Sequence, residues 1–530
     1  MLPGNGRIWK SGDAARGEIQ NDFVPYLWVG SEGPGLAIFA DNDRGWVRAK
    51  DVSSQELFRK NGKIELVWNI ITNAPANFKF LPIRFGFQAS PVKPMPENWR
   101  AQMTWNITWK NKTIQKYIKN RTLFAGGDMG RGTMTNQYVP RNNDYSLWKV
   151  AREIKKTGVV PPGFLDKWIA GYPTEEIRKK YRGEVSYFLY MLRGCKTYPD
   201  ARIMLYTNPR GLRIDSDESN TFINDWLREE FHDYRTQKVP VNTGHAYSAN
   251  PVESFRDYLL WGYKNFFDNE IDDQLYWDNL FLVSCYAQNG LEASYRLPDG
   301  RIQPSMEMDN IRKLIHRTAV FMLDRGLKPD NMVHMTNTSM LPVLSFAQQQ
   351  LDWEDNDGLA PFQERYTKEY IRALSIGYQA GCLPCVLGKV AGKSGSKEMN
   401  WCIRTGAGVV LTHEIRWARP DVDPYWNIME KWFEFGYGTP AVKVYNYWKK
   451  DYPVQITGGD NTSIYLEKGK QSQLLVCSYG PDTTLNVSVN GKQITKAVNL
   501  ETGKEIPVVN GKLQIKLAKY DLIYLGLETE

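Results

Sequence analysis

Between about residues 111 and 450, the sequence alternates amphipathic helical segments with short apolar runs that end in polar residues. This alternation constrains the fold more than any other feature, because it is the pattern of βα units, whose strands pair in parallel. The clearest apolar runs are ARIMLYTN, QLYWDN, NMVHMTN and GVVLTHE. We therefore predict a (β/α)8 TIM-type barrel in the middle of the chain.

The helices between these runs carry recognisable start and stop signals. In NPVESFRDYLLWGYKNFFDN, Asn250 is expected to cap the helix, with Pro251 in its first position and Glu253 closing a capping box. Its apolar face is predicted to hold Phe255, Tyr258, Leu259 and Phe266. The next helix repeats this spacing at Ile311, Leu314, Ile315, Thr318 and Met322 before Gly326, and YTKEYIRALSIGYQAG repeats the plan with Gly381 as its stop.

Each predicted strand ends in polar residues: Tyr206/Asn208, Asp278/Asn279, His334/Asn337 and His413/Glu414. In a barrel, the carboxyl ends of all strands meet at one rim, where active sites lie. A doubly wound open sheet shares the alternation, but the chain has no Gly-rich phosphate loop, since AGGDMGRG matches neither nucleotide-binding spacing. Nucleotide binding is therefore disfavoured.

The two ends of the chain indicate β-structure. Residues 1–110 contain β-branched and aromatic runs separated by turn residues, such as GLAIFADNDRGWV, KIELVWNIIT and FLPIRFGFQAS. Residues 453–530 alternate with period two, and Asn490-Gly491 and Asn510-Gly511 indicate hairpin turns. We predict an N-terminal β-sandwich over 1–110, the barrel over 111–452 and a C-terminal β-sandwich over 453–530.

Composition and charge exclude several protein classes. The chain has 530 residues, 42% hydrophobic and 13% aromatic, which is typical of a folded multidomain protein. Its net charge of +8 is spread without a basic block, so no nucleic-acid partner is predicted. The sequence shows no membrane span and no signal peptide at its start. Oligomeric state is left open.

The six cysteines, at positions 195, 285, 382, 385, 402 and 477, are predicted to be buried free thiols, because they are too few for a disulfide scaffold. Cys382 and Cys385 have redox or zinc spacing, but no second ligand pair completes a site. No cofactor is predicted, and structural calcium on the acidic loops is left open.

Carboxylates next to aromatic residues suggest a saccharide substrate. Aromatic rings stack on the apolar faces of pyranosides, and glycosidases use two carboxyl groups across the scissile bond. Asp278 follows Trp277, and Glu354 follows Trp353 in QQLDWEDN. We predict Glu354 as general acid and Asp278 as nucleophile or electrostatic stabiliser. A separation of about 5–5.5 Å between their carboxyl groups would favour retention and one of about 6.5–9.5 Å inversion.

The other strand-end and loop residues are expected to bind substrate or support the pair: Tyr206, Trp277, Asn279, His334, Asp352, Trp353, His413 and Glu414. For Asp278 the alternative is a turn or helix cap, and for Glu354 a solvated acidic loop. The histidines could instead satisfy buried backbone groups.

Rival catalytic arrangements have weaker support. Asp215, Asp217 and Glu218 suit the start of a helix around Trp226, and Asp272 and Asp273 precede their strand, at the wrong end of a barrel. The chain contains neither a G-x-S-x-G elbow nor an H-E-x-x-H motif, which disfavours a serine hydrolase and a zinc protease.

Several segments together resemble bacterial proteins related to glycoside hydrolase family 123: PYLWVGSEGPGLAIFADNDRGW, LYWDN, HMTNTSMLPVLSFAQQQLDWE, YIRALSIGYQAG and VVLTHE. The resemblance covers most of the chain and implies a β-sandwich, a TIM-type barrel and a second β-sandwich. It also implies polysaccharide degradation on galactose-type or N-acetylgalactosamine-type sugars, in the periplasm or outside the cell. Without a signal peptide, the cytoplasm stays open.

One position departs from the family pattern. Family 123 enzymes resemble other hexosaminidases in using an adjacent Asp-Glu pair, in which Asp orients the acetamido group and Glu is the acid. This chain has Asp278-Asn279 there. Either the acid comes from another loop, with Glu354 as candidate, or substrate-assisted cleavage does not transfer. A carbohydrate-binding protein that has lost catalysis is the alternative, and β-domains that mediate assembly or surface attachment are a third.

Overall fold

In the computed structural model of the chain, the described residues are 4–14, 22–77, 79, 81–103, 121–125, 146–171, 174–197, 201–213, 217–226, 246–287, 294–297, 299–336, 338–354, 358–418 and 422–530. The predictions that concern Asp215, Asn337, AGGDMGRG and the domain boundary at residue 110 lie outside them. The chain divides into two compact units. Unit 1 comprises Met1–Lys93, Ala125–Thr197 and Ile203–Gln348, and unit 2 comprises Pro94–Phe124, Tyr198–Arg202 and Gln349–Glu530.

The N-terminal part of unit 1 is β-structure, as the sequence predicts. Its strands are β1 (Gly6–Lys10), β2 (Tyr26–Gly30), β3 (Gly35–Phe39), β4 (Gln55–Lys60), β5 (Lys63–Trp68) and β6 (Gly86–Ser90). They form two antiparallel three-stranded sheets, in the orders β1-β4-β5 and β2-β3-β6. A short 3₁₀ helix follows β1, and a second, in unit 2, precedes the strand Arg121–Ala125, which is β7.

The rest of unit 1 alternates helices and strands. In chain order the elements are α1 (Ser146–Thr157), α2 (Phe164–Ile169), α3 (Glu175–Thr197), β8 (Ala201–Thr207), β9 (Gly211–Arg213), α4 (Asp217–Trp226), β10 (Ala246–Ser248), α5 (Glu253–Asp268), β11 (Gln274–Trp277), β12 (Tyr295–Arg296), β13 (Ile302–Gln303), α6 (Met308–Leu323), β14 (Met332–His334) and α7 (Leu341–Leu344).

Three parallel strands position the polar residues of unit 1. β11 pairs with β8 on one side and with β14 on the other. In register, Tyr276 lies beside Tyr206 of β8 and beside Met332 of β14. The predicted strands in ARIMLYTN, QLYWDN and NMVHMTN are therefore confirmed, and their carboxyl ends lie at one edge.

The capping prediction for α5 is wrong. The helix begins at Glu253 with Val252 as N-cap, and no side chain caps it. The Asn250 side chain instead accepts a hydrogen bond from Asn310 at 3.2 Å, because a tertiary partner competes with the local cap. The predicted apolar face is buried at Phe255, Leu259 and Phe266.

Unit 2 continues with helices and strands and ends in strands only. Its elements are β15 (Gln349–Asp352), α8 (Phe362–Arg365), α9 (Lys368–Leu374), β16 (Leu383–Val386), α10 (Lys397–Thr412), β17 (Arg416–Trp417), α11 (Asp423–Phe435), β18 (Lys443–Asn446), β19 (Val454–Thr457), β20 (Asn461–Lys468), β21 (Gln471–Ser478), β22 (Thr483–Val489), β23 (Ile494–Asn499), β24 (Val508–Val509), β25 (Lys512–Leu517) and β26 (Leu522–Thr529). β15, β16 and β17 pair in parallel.

Two element predictions in unit 2 need correction. GVVLTHE is not a strand: its first five residues end helix α10, whose N-cap Ser396 accepts a hydrogen bond from the Met399 N–H. Helix α10 packs closely on β21, because a Cβ at Gly408 would come within 2.6 Å of the Cys477 Sγ. This tertiary contact outweighs the β-propensity of the valines. Helix α9 ends at Leu374, before the predicted stop at Gly381.

The C-terminal strands form two antiparallel sheets, in the orders β18-β20-β21-β26-β23 and β19-β22-β25-β24. Apolar side chains of both sheets share one buried core, which includes Leu474, Leu485, Ile515 and Leu525. Asn510 and Gly511 both have positive φ between β24 and β25, as the predicted hairpin turn requires.

The structure establishes a mixed α/β protein with parallel strands in both units and antiparallel sheets near both ends of the chain. Among the described residues, no pairing shows closure of an eight-stranded barrel, so the barrel remains a prediction. The three-domain division remains one too. No helix of the described residues is long and apolar enough to cross a membrane.

Candidate active site

The Asp278 carboxylate is the centre of a polar cluster in unit 1. It follows the last residue of β11, and its backbone N–H donates to the Thr207 carbonyl at 2.8 Å, which extends the parallel ladder past the strand end. The Tyr206 hydroxyl donates to Asp278 Oδ2 at 2.5 Å, and His334 Nδ1 lies 2.7 Å from Oδ1. Three adjacent strands thus bring together three residues that the sequence predicts for the site.

Tyr276, which the sequence analysis missed, joins the same cluster. Its hydroxyl lies 2.8 Å from His334 Nδ1 and 3.5 Å from Asp278 Oδ1, and its ring stacks on Tyr206 with centroids 5.4 Å apart. Side chains two residues apart on a strand point to the same face. Tyr276, two residues before Asp278, is therefore a better candidate for the site than Trp277, which directly precedes it.

Trp277 lies on the other face of β11. Its ring is fully buried and packs edge-on against Tyr263, with centroids 5.5 Å apart. A side chain without exposed surface cannot stack on a sugar, so we leave Trp277 out of the proposed substrate contacts.

The cluster holds Asp278 as an anion. Burial alone would raise its pKa, but the hydrogen bond and charge of His334 and the hydrogen bond from Tyr206 outweigh burial, so the pKa lies below the usual aspartate value. An ionised carboxylate only accepts hydrogen bonds, so His334 Nδ1 carries a hydrogen. The other ring nitrogen, Nε2, lies 2.9 Å from the Thr336 hydroxyl, which fixes the orientation of the ring.

Asn279 supports this carboxylate from the following turn. Its φ of 57° lies in the left-handed region, and its side-chain amide donates to Asp278 Oδ2 at 3.2 Å. Its carbonyl accepts from the Arg210 guanidinium, which also pairs at 3.0 Å with the buried Glu307. The turn after Asp278 is therefore held by a buried ion pair.

Glu354 lies in unit 2, beyond the end of β15. Its side chain is 43% exposed and pairs with Lys389 through an Oε1–Nζ contact of 3.2 Å. A carboxylate with this exposure is open to a ligand. Its pairing with Asp278 of unit 1 stays a proposal.

Asp352 and Trp353, next to Glu354, are both buried. The Asp352 carboxylate accepts from the Trp353 N–H at 2.8 Å and from the Ser375 hydroxyl at 3.1 Å. The Trp353 ring stacks on Tyr366 at 4.4 Å, and its indole N–H donates to Ser375 at 3.0 Å. These contacts satisfy both side chains inside the unit, so we leave them out of the proposed substrate contacts.

His413 and Glu414 follow helix α10 and are also buried. The two oxygens of Glu414 accept from Arg100 at 2.6 and 2.9 Å, and also from Tyr437 at 2.8 Å and Asn446 at 2.9 Å. Burial alone would raise the pKa of Glu414, but the Arg100 charge and these hydrogen bonds bring it below the usual range. Both residues belong to a structural network of unit 2, so neither is kept as a sugar contact.

Asp278 and His334 also supply two ligand types that transition metals accept, a carboxylate and an imidazole.

No protein-family model and no curated protein matches the chain. Solved structures similar to it include a noncanonic maltogenic α-amylase from Thermotoga neapolitana, with 11% identity over 66% of this chain and 81% of that one, and a TM-score of 0.39. Another is a β-L-arabinopyranosidase from Geobacillus stearothermophilus, with 11% identity, 65% and 75% coverage and a TM-score of 0.36. Membership of family 123 stays a prediction.

Proposed function

We propose that the protein is a glycoside hydrolase in which Asp278 acts on the anomeric centre as nucleophile or electrostatic stabiliser. The observation that carries this proposal is the Asp278 carboxylate, held ionised by Tyr206 and His334 at the carboxyl ends of three parallel strands. A retaining glycosidase needs an anion to attack or stabilise an oxocarbenium-like centre. An aspartate with a lowered pKa keeps that charge at neutral and mildly acidic pH.

The general acid in this proposal is Glu354, an accessible carboxyl group in the segment after β15. It would donate a proton to the leaving oxygen and, in a retaining reaction, take one from the incoming water. Asn279 cannot fill this role, because an amide has no proton to give at these pH values. As substrates we propose galactose-type or N-acetylgalactosamine-type glycosides.

The second candidate function is saccharide binding without turnover. Asn279 favours it, since it occupies the position where the family that the sequence resembles has its acid. On this reading, Asp278 and Tyr206 would bind sugar hydroxyls, and Glu354 would have no chemical role.

The test is hydrolysis of an array of aryl glycosides and glycans that includes galactosides and N-acetylgalactosaminides. Wild type is compared with Asp278→Asn and Glu354→Gln, and Asp257→Asn is the matched control because Asp257 is an exposed carboxylate of unit 1 that pairs with Arg317. We expect both site variants to lose roughly a thousandfold or more in kcat, and the control to keep activity. Circular dichroism checks that all variants are folded.

Azide separates the two roles of Asp278. If Asp278 is the nucleophile, azide in place of its carboxylate should restore turnover to Asp278→Gly and give a glycosyl azide of opposite anomeric configuration to the wild-type product. If it only stabilises charge, azide restores nothing. Glycan binding without cleavage of any substrate would replace the hydrolase proposal by the binding function.

A further inference from the structure

A recess in unit 1 lies between the strands of the β2-β3-β6 sheet and the start of helix α6. Its volume is about 510 Å³, within the range of about 300–1,000 Å³ that is usual for ligand pockets. Aromatic and charged side chains both line it, and none of them belongs to the Asp278 cluster.

Aromatic rings line part of the recess. Phe85 is 43% exposed and Phe87 61% exposed, and their rings meet edge to face with centroids 5.4 Å apart. Phe39 lies opposite Gly86 across the β3–β6 pairing, and a Cβ on Gly86 would come within 2.4 Å of the Phe39 ring. Glycine at this position leaves room for the Phe39 ring against β6, and the Phe87 ring, on the opposite face of the strand, is the ring surface that solvent reaches.

Charged residues line the recess as well. Arg84 pairs with Asp309 at 2.9 Å, and the Asp41 carboxylate accepts from the Met308 N–H at 2.6 Å, so both lining carboxylates already have partners. Arg44 and Arg312 also line the recess. No carboxylate of the described residues pairs with either of them, which leaves an excess of positive charge.

Helix α6 holds the Arg312 guanidinium at the recess in a fixed orientation. Its guanidinium packs over the Phe346 ring at 5.1 Å, which orients the planar group without neutralising it. Arg317, five residues further along the same helix, pairs instead with Asp257 and does not line the recess. Helix α6 therefore carries Arg312, which has positive charge at the recess, and Arg317, whose charge is paired outside the recess.

We propose that this recess binds a pyranose that carries an anionic group, a carboxylate or a sulfate, as part of an acidic glycan. Phe85 and Phe87 would cover the apolar face of the ring, and Arg44 and Arg312 would bind the anion, since guanidinium forks match carboxylate and sulfate oxygens. The choice of a saccharide as ligand rests on the proposed function. The inference narrows the substrates of the proposed hydrolase to acidic glycans.

Binding is measured by calorimetry on the full chain carrying Asp278→Asn, which prevents turnover and leaves the recess intact. The probes are a galacturonate tetramer for the carboxylate, a chondroitin sulfate tetrasaccharide for the sulfate and galactotetraose as neutral control. We expect at least one acidic probe to bind ten times more tightly than the neutral one and to weaken as salt rises.

The variants assign the binding to the recess. Arg44→Gln with Arg312→Gln should raise the Kd of the acidic probe at least tenfold, and Phe87→Ala at least fivefold, because each removes a contact to the ligand. Arg317→Gln is the matched control and should change the Kd less than twofold.

Equal affinity for neutral and acidic probes, or an unchanged Kd in the double arginine variant, would overturn the inference. So would a chain that self-associates through Phe87, seen as a dimer that Phe87→Ala dissociates, with no glycan bound. If wild type hydrolyses glycosides but no acidic probe binds at the recess, this inference alone is wrong. If an acidic probe binds at the recess but wild type hydrolyses no glycoside, the proposed function alone is wrong.

Discussion

His413 should make unit 2 sensitive to mild acid. Burial lowers its pKa to about 3, and the charges of Arg372 and Lys368 act in the same direction. Its Nδ1 donates to the Val409 carbonyl at 2.7 Å, and its Nε2 lies 2.9 Å from the Tyr447 hydroxyl. The folded protein therefore holds a neutral imidazole that the unfolded chain protonates near pH 6.5.

The sign and size of the effect follow from proton linkage. Because the folded pKa is depressed, the stabilisation is complete above pH 6.5 and is lost as the pH falls towards 3. One pKa unit corresponds to about 1.4 kcal/mol, so this group alone costs about 2 kcal/mol of stability between pH 7.5 and pH 5.

The assay compares urea unfolding of wild type and His413→Asn at pH 7.5, 6.5, 5.5 and 5. The variant should be less stable at pH 7.5, because it loses the Tyr447 contact, but the gap should close by about 2 kcal/mol at pH 5, since all other titrations are common to both. NMR of the five histidine rings gives a direct check, with the missing signal identifying His413. A gap independent of pH, or a His413 ring that titrates near 6.5, would refute the reasoning.

Three further outcomes are expected. Glu414→Gln removes the negative charge that pairs with Arg100 inside unit 2. Because Arg100 is partly exposed, we expect the free energy of unfolding to fall by about 2–3 kcal/mol, visible as a lower thermal midpoint. An unchanged midpoint would mean that the ion pair is dispensable. Gly408→Val forces a side chain into Cys477 and should cost about 1–3 kcal/mol in urea unfolding, whereas full stability would show that α10 can move away from β21. All six cysteines are buried and none forms a disulfide bond, so a thiol reagent should label the native protein slowly and six groups per chain in urea. Fewer labelled groups in urea would reveal a disulfide.

The sequence could predict the centre of the candidate site because its signal is local. The runs before Tyr206, Asp278 and His334 are apolar and short, and each polar residue comes where its strand ends. Parallel pairing then brings the three side chains together without further information. The same argument places the antiparallel strands at both ends of the chain, since their alternation is equally local.

The errors arise where distant contacts decide. Strand β11 is buried on both faces, so polarity does not show which of Tyr276 and Trp277 shares a face with Asp278. The two-residue period of a strand does show it, and it selects Tyr276. GVVLTHE has a β-branched run, but packing of Gly408 against the C-terminal sheet fixes it as a helix. The burial of Glu414 depends on Arg100, which lies 314 positions away in the sequence.

The turn after β11 places Asn279 next to the Asp278 carboxylate. At φ 57°, its side-chain amide donates to the carboxylate that the cluster keeps ionised. A glutamate there would replace a donor by a second anion and set like charges against each other in a buried site. The turn therefore stabilises the charge of Asp278 and cannot also supply an acid. If the protein cleaves glycosides, the proton has to come from a carboxyl group outside this turn, and for that reason our proposal places it on Glu354.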